Sequence, residues 1–279
     1  MTGCRERRVT GWQACAALAL ATWLAGAVGV PSRADTPTGA VAPATLAYEV
    51  YFGGIKALAL EAEIELSGDG YRVRLGAQTQ GITDWIVGWT ARASTEGSIR
   101  DGVLRPARHA VESRLRGNRR DAALTFRPDG SIDSVVEPSA DADDREPVTP
   151  EQERGALDPI TAVLLATRAL ATHQSCDQRV PVFDGRRRYD IEFRDGGRDF
   201  LKPSEYGIFS GEATVCLFRY IRIAGYQKTG RWNNARDVDR VHRTWLAPIA
   251  PGLPPLPVRI EAEGTFGTVV VHLVGRPAG

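Results

Sequence analysis

The chain has 279 residues, which is enough to bury a substantial core as one large β domain or as two small ones. Its composition, 43% hydrophobic and 25% charged, is ordinary for a globular protein and argues against a disordered chain. A formal net charge of +1 provides no basic surface for nucleic acid, so we expect no nucleic-acid partner.

The N-terminus has the pattern of a secretory signal peptide over residues 1–34. Arg5, Arg7 and Arg8 precede an apolar run over residues 12–30, and small residues follow it. We expect cleavage after Ala34, with Ala27 as the second choice; an uncleaved membrane anchor is the alternative. The segment carries four of the 35 basic and one of the 34 acidic residues, so the remainder has a net charge of −2. The pattern predicts export to the periplasm with no membrane span after cleavage.

Only two of the four cysteines lie beyond this segment. Cys176 and Cys216 would therefore be the only cysteines of the exported chain, and such a pair is most often one disulfide. A free reactive thiol pair is the alternative, although no Cys-x-x-Cys motif is present.

Short strands separated by turns are predicted from the start of the exported chain. After a flexible lead-in over residues 35–45, the run LALEAEIEL alternates apolar and polar residues, which favours a strand with one buried face over a helix. Residues 81–89 form a dense aromatic and aliphatic patch. The strands of this half are predicted over residues 46–52, 58–66, 71–77, 90–100, 108–115, 121–126 and 131–136. Residues 137–150 are acidic and predict a linker or a surface loop.

One helix is predicted, over residues 159–172. Asp158 is a good N-cap, and Pro159 fits the first helical turn. Its expected apolar face comprises Ile160, Val163, Leu164, Leu170 and Ala171. Thr167 interrupts that face, and its hydroxyl is expected to bond to the carbonyl of Val163. Such a helix within a β-rich chain is expected to cover or plug a curved sheet.

A second group of strands follows the helix. They are predicted over residues 180–183, 186–193, 213–223, 240–246, 258–263 and 268–274, with residues 194–211 irregular. Together the patterns predict a mainly β protein, a single domain over residues 46–276, in which two strand-rich halves flank the helix.

Several motifs, in this order, resemble domain-of-unknown-function family 3108, a family of exported bacterial envelope proteins. They are LAYEVYFGGIKAL, LDPITAVLLATR, PVFDGRRRYDIEF, GEATVC and the C-terminal TWLAP and LPVRIEAEGTFGTVVVHL. The resemblance covers nearly the whole exported chain. It implies a strongly bent antiparallel sheet or half-open barrel with a helix packed against it, and it supplies no catalytic residues.

The FDGRRRYD segment is the clearest candidate for a polar ligand site. In a strand, Arg186 and Arg188 would share one face, with Tyr189 on the other, and two guanidinium groups could bind a phosphate or carboxylate. The alternative is that these arginines pair with acids such as Asp184 or Asp190.

Trp85 and Trp89 are the candidates for an apolar pocket, together with Tyr71. They would line a cavity inside the bent sheet if that interior is not filled, and would pack in the core otherwise. No histidine or cysteine stands at metal-ligand spacing, so neither a metal nor a cofactor is predicted.

These observations favour a non-enzymatic periplasmic protein of the cell envelope, a scaffold or carrier-like binder of a lipid, glycan or protein component. The alternative is an envelope hydrolase or a transglycosylase-like enzyme using carboxylates. Its loose candidates are Asp158, Asp184, Asp190 and Glu192. Two of them facing each other across an open pocket would favour the enzyme.

Overall fold

The structure is a computed structural model that describes residues 43–138, 145–228, 240–264 and 267–275. The predicted signal peptide and both candidate cleavage sites lie outside these residues. The predicted lead-in is shorter at its C-terminal end than expected, because the first strand begins at Ala44.

The described residues form one antiparallel sheet of 13 strands. Its order is β7-β6-β5-β4-β3-β2-β1-β13-β12-β11-β10-β9-β8. Two meanders are therefore joined by the pairing of the first strand with the last, and the sheet is bent but not closed. The first meander comprises β1 (Ala44–Phe52), β2 (Ile55–Leu66), β3 (Gly70–Thr79), β4 (Trp89–Arg100), β5 (Val103–Leu115), β6 (Asn118–Phe126) and β7 (Ile132–Glu137). The second comprises β8 (Gln178–Phe183), β9 (Arg188–Leu201), β10 (Gly211–Ala224), β11 (His242–Ala247), β12 (Leu256–Gly264) and β13 (Gly267–Gly275).

The alternation in residues 58–66 is confirmed as a strand with one buried face. Ala62, Ile64 and Leu66 are buried, whereas the glutamates between them face outward and pair with arginines of β3. Arg74, for example, lies 2.8 Å from Glu63. The helix alternative is therefore wrong for this segment.

Three helices are present in the described residues, two more than expected: α1 (Gly81–Val87), α2 (Pro150–Glu153) and α3 (Pro159–His173). The aromatic patch at residues 81–89 is mostly α1, which joins β3 to β4. Gly88 ends this helix in a left-handed conformation (φ 57°), which glycine adopts at little cost. The two ends of α1 are set by Thr79, whose hydroxyl lies 2.5 Å from Asp84 Oδ1 and accepts a hydrogen bond from the Trp89 amide at 2.9 Å.

Helix α3 begins as predicted, but its buried face differs from the prediction. Asp158 Oδ1 accepts hydrogen bonds from the amides of Ile160 and Thr161 at 3.0 and 2.9 Å. Val163 is 44% exposed, and Ala171 is also exposed. The buried residues are Thr161, Ala162, Leu164, Ala166, Thr167 and Leu170.

Thr167 is buried as expected, but its hydroxyl donates to another carbonyl. The acceptor is Leu164, at 2.9 Å, rather than Val163. Small side chains at Ala162 and Ala166 let the helix approach the sheet closely, which rotates the buried face away from Val163.

Strand β9 is longer than predicted. The composition of residues 194–200 is typical of a turn, yet this stretch pairs with β10 as far as Leu201 opposite Gly211. Gly196 makes this possible, because a Cβ atom there would lie 2.8 Å from Val215 Cγ1. The predicted irregular segment is thus confined to the residues after Leu201.

Two large apolar clusters form the core, and α3 contributes to both. Leu164 packs with residues of β1–β5 and of β9–β13, whereas Ala162, Ala166 and Leu170 pack with β8, β9 and β10. The predicted disulfide between Cys176 and Cys216 is confirmed and joins the exit of α3 to β10. The helix is therefore fastened to the inner face of the bent sheet at both ends, by Asp158 and by the disulfide.

The two edge strands of the sheet, β7 and β8, do not pair with each other. Other segments make the contacts between the two edges. Leu157 forms a parallel bridge with Val182, and its amide donates to the carbonyl of Pro181 at 2.8 Å. The tip of the β8–β9 hairpin reaches β6 and β7, because a Cβ atom at Gly185 would lie 3.0 Å from Ala122 and 3.2 Å from Val136. None of the helices in the described part of the chain is long and apolar enough to cross a bilayer.

Candidate functional site

The arginines of the predicted polar site do not share a strand face. Strand β9 begins at Arg188, so Arg186 lies in the turn. Arg186 donates to the carbonyl of Pro138 at 2.8 Å. The Arg188 guanidinium is almost buried, lies 2.5 Å from Asp190 Oδ1 and donates to the carbonyl of Gln152 at 2.8 Å. These contacts attach the β8–β9 hairpin to Pro138, just after β7, and to Gln152 in α2.

Tyr189 points to the inner face and belongs to the core. It is 8% exposed and packs with the buried residues around α3. Its ring meets that of Tyr220 at 5.6 Å between centroids. Burial raises the pKa of Tyr189, with a further contribution from Asp184, so its hydroxyl stays protonated at neutral pH.

The four carboxylates considered for catalysis are each held by protein groups. Asp184 accepts hydrogen bonds from the amides of Arg186 and Arg187, and Asp190 lies between Arg179 and Arg188. Glu192 pairs with two arginines of the outer face, Arg194 and Arg219. Asp158 is fully buried. The sequence-based alternative of an enzyme gains no support from this arrangement.

A buried polar cluster lies where α3 begins, and sequence reasoning identified only part of it. Asp158 Oδ2 accepts hydrogen bonds from Thr161 Oγ1 at 2.5 Å and from Thr95 Oγ1 at 3.1 Å. Thr161 Oγ1 also lies 2.9 Å from the hydroxyl of Tyr71. His109 Nδ1 lies 3.3 Å from Asp158 Oδ1, at ion-pair distance but without the alignment of a hydrogen bond. The cluster ties the helix to β3, β4 and β5.

The ionisation of Asp158 reflects these contacts. Burial alone would raise the pKa of this carboxyl, but His109 and the hydrogen bonds from Thr161 outweigh it, and the pKa is lowered from its ordinary value of 3.8. Both the carboxylate and the imidazole are enclosed, with side-chain exposures of 0% and 1%. The cluster therefore has the geometry of a structural anchor, since no substrate could reach it without opening the core.

The two tryptophans predicted to line a pocket lie at the end of the sheet where α1 is found. Trp85 is on α1 and is 86% exposed, so it neither packs in the core nor lines an interior cavity. Trp89, at the start of β4, is partly exposed and pairs in register with Leu115. Tyr71 alone is buried inside the sheet.

The inner face of the sheet is incompletely covered at the end where α1 lies. Register places Leu58, Val50, Val271 and Ile260 in one row across β2, β1, β13 and β12. Val269 and Ala262 are paired in the next row. We call this set of six residues the upper inner face. Apart from Val50, which is 8% exposed, all of them are partly exposed.

Aromatic side chains continue the upper inner face across β10 and β11. The Phe218 ring lies 5.1 Å from that of His242 and 5.9 Å from that of Tyr220. His242 is 8% exposed, and its pKa is lowered by burial and by Arg240, so it is neutral at neutral pH. Phe218, Tyr220 and His242 therefore give this part of the lining aromatic rings that are uncharged at neutral pH, which suits a largely apolar ligand.

Sequence reasoning missed this surface because β13 is apolar on both faces. Its run Val269-Val270-Val271 shows no alternation, so the inward residues could be identified only from the pairing with β1. The tryptophans were the more conspicuous signal, but they lie at the rim.

A depression of about 630 Å³ lies on the first meander and is charged. Register places Glu49, Glu61, Arg92 and Glu112 on the face opposite the core, around Gly76. The pKa of Glu49 is lowered by its hydrogen bonds from Lys56 and Tyr51. This surface is solvated and polar, unlike the upper inner face.

Fold and site together define a half-open antiparallel β protein with a helix fastened inside it and an apolar inner face exposed at one end. The chain belongs to the family described as "Protein of unknown function (DUF3108)", which matches residues 47–274. The resemblance found in the sequence is thereby confirmed.

The chain also matches a solved structure over most of its length. That structure is described as "Crystal Structure of Beta-barrel-like Protein of Domain of Unknown Function DUF1849 from Brucella abortus". The two chains are 11% identical, the match covers 84% of this chain and 96% of that one, and the TM-score is 0.49. A comparison with curated proteins gave no match.

Proposed function

We propose that this protein is a non-enzymatic, carrier-like binder of a lipidic component of the cell envelope, and that it works in the periplasm. The signal-peptide pattern and the resemblance to exported envelope proteins support the compartment. The upper inner face is the observation that carries the proposal, because its apolar side chains are partly exposed inside a folded sheet. Exposed apolar surface of this kind favours a ligand, since water is excluded from it on binding.

The rest of the sheet interior explains why a ligand would bind at that end. Helix α3 and its two clusters fill the interior next to Asp158 and the disulfide. Beyond the helix, the lining consists of aliphatic residues on β1, β2, β12 and β13 and of aromatic residues on β10 and β11. An acyl chain matches this lining, whereas a glycan would leave its hydroxyl groups without hydrogen-bond partners.

The proposal is tested by purifying the protein from the envelope fraction without detergent and measuring its mass under native conditions. A co-purified lipid mass, displaced by a fluorescent fatty acid in titration, is the expected result. Ala262→Gln places an amide in the upper inner face and should weaken binding of the fluorescent fatty acid about tenfold, because the amide loses water without gaining a partner.

Val270→Gln is the matched control. Val270 is the register partner of Glu261, on the opposite face of the same two strands, and is also partly exposed. Its substitution should leave binding unchanged. A protein free of lipid that does not bind the fluorescent fatty acid would contradict the proposal, and so would equal losses in the two variants.

A further inference from the structure

None of the seven residues of helix α1 is buried, which is unusual for a helix rich in apolar residues. Ile82 is 62% exposed, Trp85 86% and Ile86 48%. Nearby, at the same end of the sheet, Phe52, Ile55 and Leu115 are exposed as well. We call these six residues the α1 patch. An exposed apolar group of this size on a folded protein indicates an interaction surface.

The α1 patch is a fixed surface because its elements are hydrogen-bonded to one another. The amide of Gln80 donates to the carbonyl of Ala57 at 2.9 Å, which attaches the start of α1 to β2. The amide of Arg116 donates to the carbonyl of Gly88 at 3.0 Å, and its guanidinium donates to the carbonyl of Ile86. The hydroxyl of Thr79 contacts Asp84 in the helix and the amide of Trp89 just after it. The apolar side chains thus point outward from a rigid base.

The charge around the patch is positive on balance. The basic residues are Lys56, Arg114, Arg116, Arg119 and Arg120. Two acids pair with members of this group, Glu49 with Lys56 and Asp121 with Arg119. A third acid, Asp84, is held against the hydroxyl of Thr79. Five basic and three acidic residues leave this end of the sheet with a net charge of +2.

We propose that the α1 patch docks the protein on a bilayer surface that contains anionic phospholipid. Trp85, Ile82 and Ile86 would enter the interface between head groups and acyl chains, where tryptophan is favoured. The surrounding arginines would lie at the level of the phosphates and be attracted by the anionic head groups. A protein partner would also cover apolar residues, but a net basic surface beside a protruding tryptophan fits an anionic lipid surface better.

This inference goes beyond cargo binding and stands independently of it. The upper inner face lies at the same end of the sheet as α1, since Phe52 and Val269 are register partners beside the β1–β2 turn. Docking through α1 would therefore turn the open end of the sheet toward the bilayer. A protein could dock in this way whether or not the interior carries a ligand.

The test is sedimentation of the purified protein with phosphatidylcholine vesicles, with and without phosphatidylglycerol. We expect binding to the vesicles that contain phosphatidylglycerol, weakened by salt. Trp85→Ser should lower the affinity about tenfold or more, because the indole supplies the largest apolar area of the patch. The double variant Arg114→Ser/Arg119→Ser should lower it about 25-fold, at about fivefold for each arginine.

Matched controls lie at the other end of the sheet. Phe200 is 61% exposed, and Phe200→Ser should leave vesicle binding unchanged. Arg105 and Arg108 are exposed on the same strand as Arg114, and their double substitution by serine should also have little effect. Thermal unfolding of each variant confirms that it is folded.

Three results would overturn the proposal. The first is no sedimentation of the wild-type protein with either vesicle. The second is equal binding to vesicles with and without phosphatidylglycerol, which would remove the role of the arginines. The third is equal loss in the α1-patch variants and in their controls.

Discussion

Replacing Asp158 by alanine tests whether the buried polar cluster holds α3 to the sheet. The substitution removes the N-cap acceptor of two backbone amides, those of Ile160 and Thr161. It also removes the acceptor of the Thr95 and Thr161 hydroxyl groups and the partner of His109. Apart from the partly buried amide of Ile160, these groups remain buried in the core.

The expected cost follows from these losses. An N-cap contributes about 1–2 kcal/mol, and each buried polar group left without a partner costs about 1–3 kcal/mol. Because the contacts are not additive, we expect Asp158→Ala to lower the free energy of unfolding by about 3–5 kcal/mol. Thr149→Ala is the matched control. Thr149 caps the exposed helix α2, and its loss should cost about 0.5–1 kcal/mol.

The pH dependence has a definite sign. The pKa of Asp158 is lower in the folded state than its ordinary value of 3.8, so the unfolded state binds more protons between these two values. The stability that this carboxylate contributes is therefore present above pH 3.8 and is lost as the pH falls through the folded pKa. Asp158→Ala should remove that part of the acid dependence, whereas Thr149→Ala should retain it.

Urea unfolding followed by circular dichroism measures the change in the free energy of unfolding. An unaltered slope of that free energy against urea concentration shows that the variant exposes the same surface on unfolding as the wild type. A loss within about 1 kcal/mol of that for Thr149→Ala would refute the reasoning. It would mean that water or a rearranged side chain satisfies the cluster after the substitution.

Two further predictions concern the same helix. Leu164→Asp should lower the free energy of unfolding by more than about 3 kcal/mol, because it places a charge on the buried face of α3. Val163→Asp should have a small effect, because Val163 is 44% exposed. Equal melting temperatures of the two variants would contradict the assigned face. Non-reducing peptide mapping should recover a peptide that joins Cys176 to Cys216, and replacing both by serine should cost about 4 kcal/mol for a loop of 40 residues, measured by urea unfolding. Two free thiols in protein isolated from the periplasmic fraction would contradict the second prediction.

The elements with local signals were predictable. The alternation of apolar and polar residues identified β2 and β3. Asp158-Pro159 marked the start of α3, because aspartate accepts hydrogen bonds from the first helical amides and proline has no amide that would need a partner there. Helix α1 was missed because seven residues contain too few turns to show periodicity, and because its large apolar residues are also common in strands. The length of β9 was missed because Gly196 and Gly197 indicate a turn in isolation.

The candidate site was predicted less well than the fold. Arg186 and Arg188 were expected to share a strand face, but the turn extends two residues further, so Arg186 lies in the turn and Arg188 begins β9. His109 gave no signal of its own, since one histidine in a strand is usually a surface residue. Its contact with Asp158 joins positions 49 residues apart in the chain, and only the packing of α3 on β5 brings them together.

The sequence by itself indicated the β-rich class, the N-cap of α3 and the pairing of Cys176 with Cys216. The first two depend on residue type and on short spacing, which local physical chemistry fixes. The third followed from there being only two cysteines after residue 34. Only the tertiary structure decided which apolar residues are left partly exposed, because that depends on the pairing of β1 with β13 across the length of the chain. It also placed Trp85 at the rim rather than inside. The surfaces proposed for cargo and for membrane docking are therefore products of long-range register.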